Sequence, residues 1–279
     1  MKPIIEHLAN TITRANVSDD DYLNPSDNLL YCGKCHTPKQ KRFDKPLLDT
    51  IDTVPIPCEC RSKEIEEEHR QDNLRKHLQA VERLRQRGIR DRKILDWTFE
   101  GDNGSTPNMD KAKRYVEQFE QIKADNIGLL LWGNVGTGKS YFAGCIANAL
   151  IEQEISVCMT NFGVILADMM NMSIDKNEYI ANLNRNALLI IDDFGMERDT
   201  PFALEQLYNV IDSRYTASKP LIVTTNLTLP EMQNTALQTD YRRIYDRILE
   251  MCVPILFEGE SKRKDKAEEK RNKLREILK

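Results

Sequence analysis

The 279-residue sequence predicts an α/β fold, a parallel sheet flanked by helices, with a small metal-binding module and a charged helical linker ahead of it. Three observations predict this. After Pro107, short apolar runs of strand length alternate with segments of helical spacing, the pattern of a sheet whose crossovers are helices. One run, Ile127–Trp132, breaks into a glycine-rich turn that opens an apolar helix. Upstream, Cys32, Cys35, Cys58 and Cys60 punctuate a stretch too rich in Pro, Lys and Asp to bury a core of its own.

Composition narrows the class. Hydrophobic residues make up 40% and charged residues 30%, the balance of a globular protein with polar helices. A net charge of −4 gives no bulk sign of nucleic-acid binding, so any basic surface must be local. No apolar stretch has the length of a bilayer span, and Met1-Lys2-Pro3 leads into mixed polar residues rather than a signal-peptide core. Seven cysteines without an export signal predict a reducing, cytoplasmic setting in which thiols are free or metal-bound.

Three segments are expected: a module over 1–60, a charged helix and linker over 61–106, and a nucleotide-binding domain over 107–279. In the module, Cys32-Gly33-Lys34-Cys35 has the spacing of a zinc knuckle, with the glycine expected to allow the tight turn. Cys58-Glu59-Cys60 is a shorter but workable second pair, and Zn²⁺ held by Cys32, Cys35, Cys58 and Cys60 is the expectation. His36, beside Cys35, could replace one cysteine; Cys145, Cys158 and Cys252 sit in apolar contexts and read as small buried hydrophobes. From Arg61 to Arg87 there is no Pro or Gly, and Leu74, Leu78, Val81 and Leu84 form a narrow apolar stripe on a polar helix that Gly88 ends. The stripe suits either a solvated connector or a helix that docks a partner. Ile94–Pro107, with Trp97 and Phe99, is expected to be the linker into the next domain.

In that domain a helix is expected over Asp110–Ala124, with Ala112, Tyr115, Val116 and Phe119 on one face. Next comes the P-loop pattern in its required strand–loop–helix context, Gly133-Asn134-Val135-Gly136-Thr137-Gly138-Lys139-Ser140. Its glycines let backbone N–H groups wrap a phosphate at a helix N-terminus. Lys139 is placed to reach the terminal phosphates of ATP and Ser140 to ligate Mg²⁺. Strands are expected at Ile155–Thr160, Ala187–Ile191, Leu221–Asn226 and Val253–Phe257, and helices near 162–170, 176–184, 202–218, 241–251 and 262–279. Leu188–Ile191 runs straight into Asp192-Asp193, which puts two acids at the ligand-binding edge of the sheet. Asp192 suits the Mg²⁺ shell and Asp193 the polarisation of an attacking water. Asn226, after the next strand, could bond a phosphate or that water, although a lone Asn there also suits a turn.

Five motifs in this order resemble the AAA+ ATPases of the DnaC-type and DnaI-type replicative helicase loaders and their IstB-type and phage-encoded relatives. They are Gly-Asn-Val-Gly-Thr-Gly-Lys-Ser (133–140), Leu-Leu-Ile-Ile-Asp-Asp-Phe-Gly (188–195), Thr-Thr-Asn (224–226), Arg-Arg-Ile-Tyr-Asp-Arg-Ile (242–248) and Gly-Glu-Ser-Lys-Arg (259–263). The resemblance implies that Asn226 is sensor 1, Arg247 the arginine finger acting in trans, with Arg243 as its rival, and Arg263 the sensor 2 arginine. It implies self-association, a hexameric replicative helicase as partner, and single-stranded DNA bound over Phe162–Asn186. That stretch carries Met169, Met170 and Met172 but only Lys176 and Arg185 as cations, a poor electrostatic groove. An IstB-type role, in which the ATPase binds DNA and recruits a transposase, is the alternative; such proteins usually lack a cysteine cluster. Two departures stand out. Asp193 occupies a place where many AAA+ enzymes carry Glu, which predicts slow hydrolysis. The segment after Phe257 is also too short for a full helical lid, as in the loaders.

Overall fold

The N-terminal residues form two small antiparallel hairpins, β1 (Tyr22–Leu23) with β2 (Leu30–Tyr31) and β3 (Gln40–Leu47) with β4 (Ile51–Pro55). The structure is a computed structural model and describes residues 17–47, 51–102, 104, 106–171, 174–195, 200–234 and 239–278. The hairpins are followed by α1 (Glu59–Gly88), whose polar surface carries turn-to-turn ion pairs such as Lys63–Glu59 and Arg70–Glu67. Exposed pairs of this kind are individually weak, and their repetition supports the helix locally along its length. Two compact units divide within α1, at Leu78/Gln79. The expected apolar stripe divides there as well. Leu74 and Leu78 are more than half exposed, whereas Val81 is buried and Leu84 packs against a core.

In the second unit, five strands form one parallel sheet in the order β6-β7-β8-β5-β9. They are β5 (Gly128–Gly133), β6 (Val157–Asn161), β7 (Leu188–Phe194), β8 (Leu221–Thr225) and β9 (Cys252–Phe257). Alternate residues of the central strands feed two cores. Leu129, Leu131, Leu188, Ile190 and Ile222 face one, and Leu130, Leu189, Ile191, Leu221 and Val223 face the other. A continuous apolar run is what burial on both faces requires. Each of these fully buried side chains contributes roughly 1.5–3 kcal/mol.

A 3₁₀ turn (Arg92–Asp96) precedes α2 (Met109–Glu117) and α3 (Phe119–Ala124). The single helix expected over Asp110–Ala124 is thus broken, at Gln118 (φ −103°, ψ 17°), and the break keeps Phe119 in the core beside the Tyr115 ring. The strand expected to begin at Ile127 begins one residue later. Ile127 is exposed, in a turn whose carbonyl accepts the Tyr115 hydroxyl. Ile89 bridges Met159 at the β6 edge, and buried Asn148, on the helix that follows β5, donates to the carbonyls of Ile94 (2.6 Å) and Trp97 (2.8 Å), which holds the 3₁₀ turn against the helix.

The remaining helices are α4 (Lys139–Glu152), α5 (Phe162–Met169), α6 (Lys176–Arg185), α7 (Pro201–Thr216), α8 (Leu229–Met232), α9 (Thr239–Met251) and α10 (Lys262–Ile277). No helix among the described residues is long and apolar enough to cross a membrane.

Sequence reasoning missed Arg214, fully buried on α7. Its guanidinium donates to the carbonyls of Pro220 (2.6 and 3.2 Å), Asn186 (3.0 Å) and Ala187 (3.0 Å), the residues that lead into β8 and β7. Burial lowers its pKa to about 10, so it remains charged at neutral pH. Arg214→Met should strand these carbonyls without donors and cost about 3 kcal/mol or more. The check is a fall in the denaturant midpoint of the full chain; an unchanged midpoint would rule out the bonds as a stabilising element.

Candidate nucleotide site and cysteine cluster

The nucleotide site is built where β5, β7 and β8 end. β5 closes at Gly133, and α4 begins at Lys139 with Gly138 as its N-cap (φ 103°). The Lys139 side chain is buried and folds back over the loop. Its Nζ donates to the carbonyls of Gly133 (2.8 Å) and Asn134 (2.7 Å) and to Asn226 Oδ1 (2.9 Å). Asn226 Nδ2 in turn lies 3.3 Å from Asp193 Oδ1. The loop lysine, the residue after β8 and the second acid of β7 are therefore joined in one hydrogen-bonded chain. Thr137 braces the loop by donating to the Asn134 carbonyl (2.8 Å), Val135 is exposed at its tip, and Ser140 lies in the first turn of α4.

The acids are aimed by an irregularity in β7. Its register against β8 shifts between Ile191 and Phe194, and Asp193 takes a left-handed backbone (φ 57°). A bulge of this kind re-aims side chains at a strand end. Thr224 fixes both acids: its hydroxyl donates to Asp192 Oδ1 (2.6 Å) and accepts from the Asp193 N–H (2.9 Å). Thr224 is another residue that sequence reasoning passed over. The available signal was a hydroxyl in a strand buried on both faces, which must find partners inside. Thr225 behaves alike, donating to the Phe194 carbonyl (2.7 Å).

Three expected residues stand apart from this chain. Arg247, on α9, pairs with Asp212 Oδ1 at 2.7 Å and lies 4.6 Å from the Tyr208 ring centre and 5.6 Å from that of Tyr215. Its buried Nη1 has no hydrogen-bond partner among the described residues. Arg243, one turn earlier, is exposed. Arg263 lies in the first turn of α10, and its side chain lies outside the described residues. The start of α10 does reach the loop, because a Cβ on Gly136 (φ 81°) would come 2.1 Å from Ser261 Oγ.

Over Phe162–Asn186, Met169 is buried and Met170 exposed, while Met172 lies outside the described residues. The two cations there are engaged locally. Lys176 Nζ is 4.7 Å from the Phe202 ring centre, and Arg185 donates to Asn182 Oδ1 (2.7 Å).

In the first unit, Cys32, Cys35, Cys58 and Cys60 converge, with all four sulfurs within 4.8 Å of one another. The Cys32–Cys60 and Cys58–Cys60 sulfurs are 3.6 and 3.3 Å apart. The tetrahedron of a Zn–S bond near 2.3 Å has an edge of about 3.8 Å, so the spacing fits a four-thiolate ion. Thr37 and the Cys60 N–H hold the Cys35 thiol down to about 5, while the sulfurs of Cys58, Cys35 and Cys32 push Cys60 up to about 12. A cation held among the four sulfurs would relieve the repulsion between their thiolates. His36 is not part of the cluster. It takes the left-handed backbone of the turn (φ 55°), and its Nδ1 lies 3.2 Å from the Tyr22 hydroxyl. Gly33 is needed for a different reason than the expected turn, since a Cβ there would come 2.1 Å from the Asp20 carbonyl oxygen. Its N–H donates to Asp21 (3.2 Å), whose carboxylate is ion-paired with Lys39 at 2.5 Å.

Comparison with known proteins places this geometry in context. Residues 64–270 match the family profile described as IstB-like ATP binding protein. The replicative helicase loader DnaI of Bacillus subtilis (strain 168) is 24% identical over 264 residues, covering 87% of this chain and 81% of that protein. The replicative helicase loader DnaC of Escherichia coli (strain K12) is 27% identical over 134 residues, covering 46% of this chain and 53% of its own length. The crystal structure of DnaI superimposes with a TM-score of 0.52 at 22% identity, over 63% of this chain and 98% of that one, which supports the fold.

Because Gly136 leaves no room for a Cβ, Gly136→Ala should force Ser261 or the loop aside and weaken ATP binding about tenfold or more. Equilibrium titration with a fluorescent ATP analogue would measure this; wild-type affinity would show that the loop accommodates a side chain.

Proposed function

Since the chain belongs to the family of IstB-like ATP binding proteins, we propose that it is an ATPase that loads a hexameric replicative helicase onto single-stranded DNA. The observation that carries the ATPase reading is the hydrogen-bonded chain from Lys139 through Asn226 to Asp193, with Asp192 held beside it by Thr224. A bound triphosphate would draw Lys139 from the loop carbonyls to its terminal phosphates. That frees Asn226 Oδ1 and lets Asn226 respond to the phosphate while still touching Asp193. Gly133–Ser140 would wrap the phosphates, Ser140 and Asp192 would hold Mg²⁺, and Mg²⁺ would neutralise charge on the phosphate oxygens. Asp193 would orient the water.

Completion of the site requires a cation from a neighbouring copy, and Arg247 is the leading candidate. Acting there, it must leave Asp212 and the two tyrosines, so assembly competes with an internal ion pair. Arg263 would add a second cation from the chain's own α10. The loader reading draws on the likeness to DnaI across most of both chains. In it, the module of Cys32, Cys35, Cys58 and Cys60 holds Zn²⁺ and docks the helicase, and the ATPase domain times release onto DNA, in the cytoplasm. The family profile itself favours one rival, an IstB-type protein that binds duplex DNA and recruits a transposase.

Gel filtration of the full chain with a hexameric replicative helicase, with and without ATP, tests the assignment. The wild type should comigrate and a Cys32→Ser, Cys35→Ser double variant should not. ATP-dependent assembly on duplex DNA with no helicase complex would instead favour the transposition role. Basal hydrolysis should be slow, and a steady-state rate in the tens per second without partner would contradict the slow hydrolysis expected of Asp193 in place of Glu.

A further inference from the structure

The four sulfurs come from two separate stretches of chain, which the β3–β4 ladder brings side by side at Gln40 and Pro55. Among the described residues, Thr37 is bonded to both. Its carbonyl accepts the N–H of Cys32 (3.0 Å), and its hydroxyl oxygen lies 3.1 Å from Cys35 Sγ. The same oxygen accepts the N–H of Glu59 (2.9 Å), the residue between Cys58 and Cys60. An oxygen already accepting from Glu59 turns its own proton toward the sulfur, which as a thiolate can only accept. One side chain therefore ties a ligand of the first pair to the backbone between the ligands of the second.

Resting on the metal reading proposed above, we infer that Thr37 is the positioning residue of the Cys32–Cys35–Cys58–Cys60 centre: its hydroxyl clamps the two ligand pairs together and sets how firmly the ion is retained. Groups that hydrogen-bond to metal ligands and fix their orientation act on affinity without touching the ion. The hydroxyl also shares charge from Cys35, which reduces repulsion in a site of four thiolates.

Thr37→Val keeps the volume and the carbonyl and removes only the hydroxyl. The zinc-loaded full chain should lose metal to a chromogenic chelator about tenfold faster or more in this variant, and Thr37→Ser should stay within about twofold of wild type. Cobalt(II)-loaded samples provide a second readout. The thiolate-to-metal absorption should shift in Thr37→Val and not in Thr37→Ser. Failure of Thr37→Val to take up metal while Thr37→Ser does so would support the same role. Equal release rates for wild type and Thr37→Val, or a Ser variant as leaky as the Val variant, would overturn the clamp while leaving the metal centre standing. A wild-type chain that binds no zinc or cobalt would overturn the metal reading itself and the clamp with it.

Discussion

The register of β7 against β8 is the constraint on which the nucleotide site depends. It is pinned at both ends by side chains. At the start of the strands, Arg214 gathers the carbonyls of Asn186, Ala187 and Pro220 onto one guanidinium. At the finish, Thr224 reaches Asp192 and the Asp193 N–H, and Thr225 reaches the Phe194 carbonyl. A slip of one residue would turn every strand side chain to the opposite core and separate the acids from Thr224 and Asn226. The apolar residues between the pins provide most of the burial energy, but apolar contact is non-directional and cannot define a register this closely. The buried hydrogen bonds define it, since a misregistered pairing would leave each group unsatisfied inside.

The two units meet the same thermodynamic demand by different means. The second has enough residues to bury two apolar layers against one sheet, and buried Arg214, Asn148 and Thr225 donate to backbone carbonyls. The first is built from hairpins with strands of two to eight residues and a charged helix, and few of its side chains are buried among the described residues. Its buried residues include Cys32 and Cys58, which are sulfur donors rather than hydrocarbon. Order there rests on polar bonds with definite partners: Asp21 with Lys39 and Gly33, and Thr37 with Cys35 and Glu59. The metal proposed between the sulfurs would supply a cross-link that a core of this size cannot.

Much of this arrangement was legible in the sequence, for reasons that differ by element. The central strands announce themselves because burial on both faces demands unbroken apolar runs, and Leu188–Ile191 is wholly buried. The P-loop is legible because only a glycine-rich turn between strand and helix can present its backbone to an anion. The fine aim of the site was not legible. Thr224 and Arg214 act through partners 31 or 32 and 27 or 28 residues away as well as nearby ones, and no local pattern encodes such pairings. The break at Gln118 was hidden for the same reason, because a periodic apolar face continues across it. Leu74 and Leu78 show the converse limit: periodicity marks a face that can be buried, but the buried part of the stripe begins only at Val81.

Asp193 joins these threads. Its left-handed backbone at the β7 irregularity costs an ordinary residue roughly 1–2 kcal/mol, and aspartate is among the few side chains that occupy that region readily. The conformation is held from outside by the Thr224 hydroxyl on its N–H and by Asn226 on its carboxylate. Glutamate at this position would reach farther, yet it would meet the backbone strain less well. The short acid is thus matched to the bulge that carries it. The same match keeps the carboxylate bonded to the residue that touches Lys139, so the acid and the phosphate-binding lysine share a single intermediary. On the proposed reading, a site wired in this way would sense the occupant of the loop through Asn226 before acting on it. That order would suit the slow ATPase proposed above.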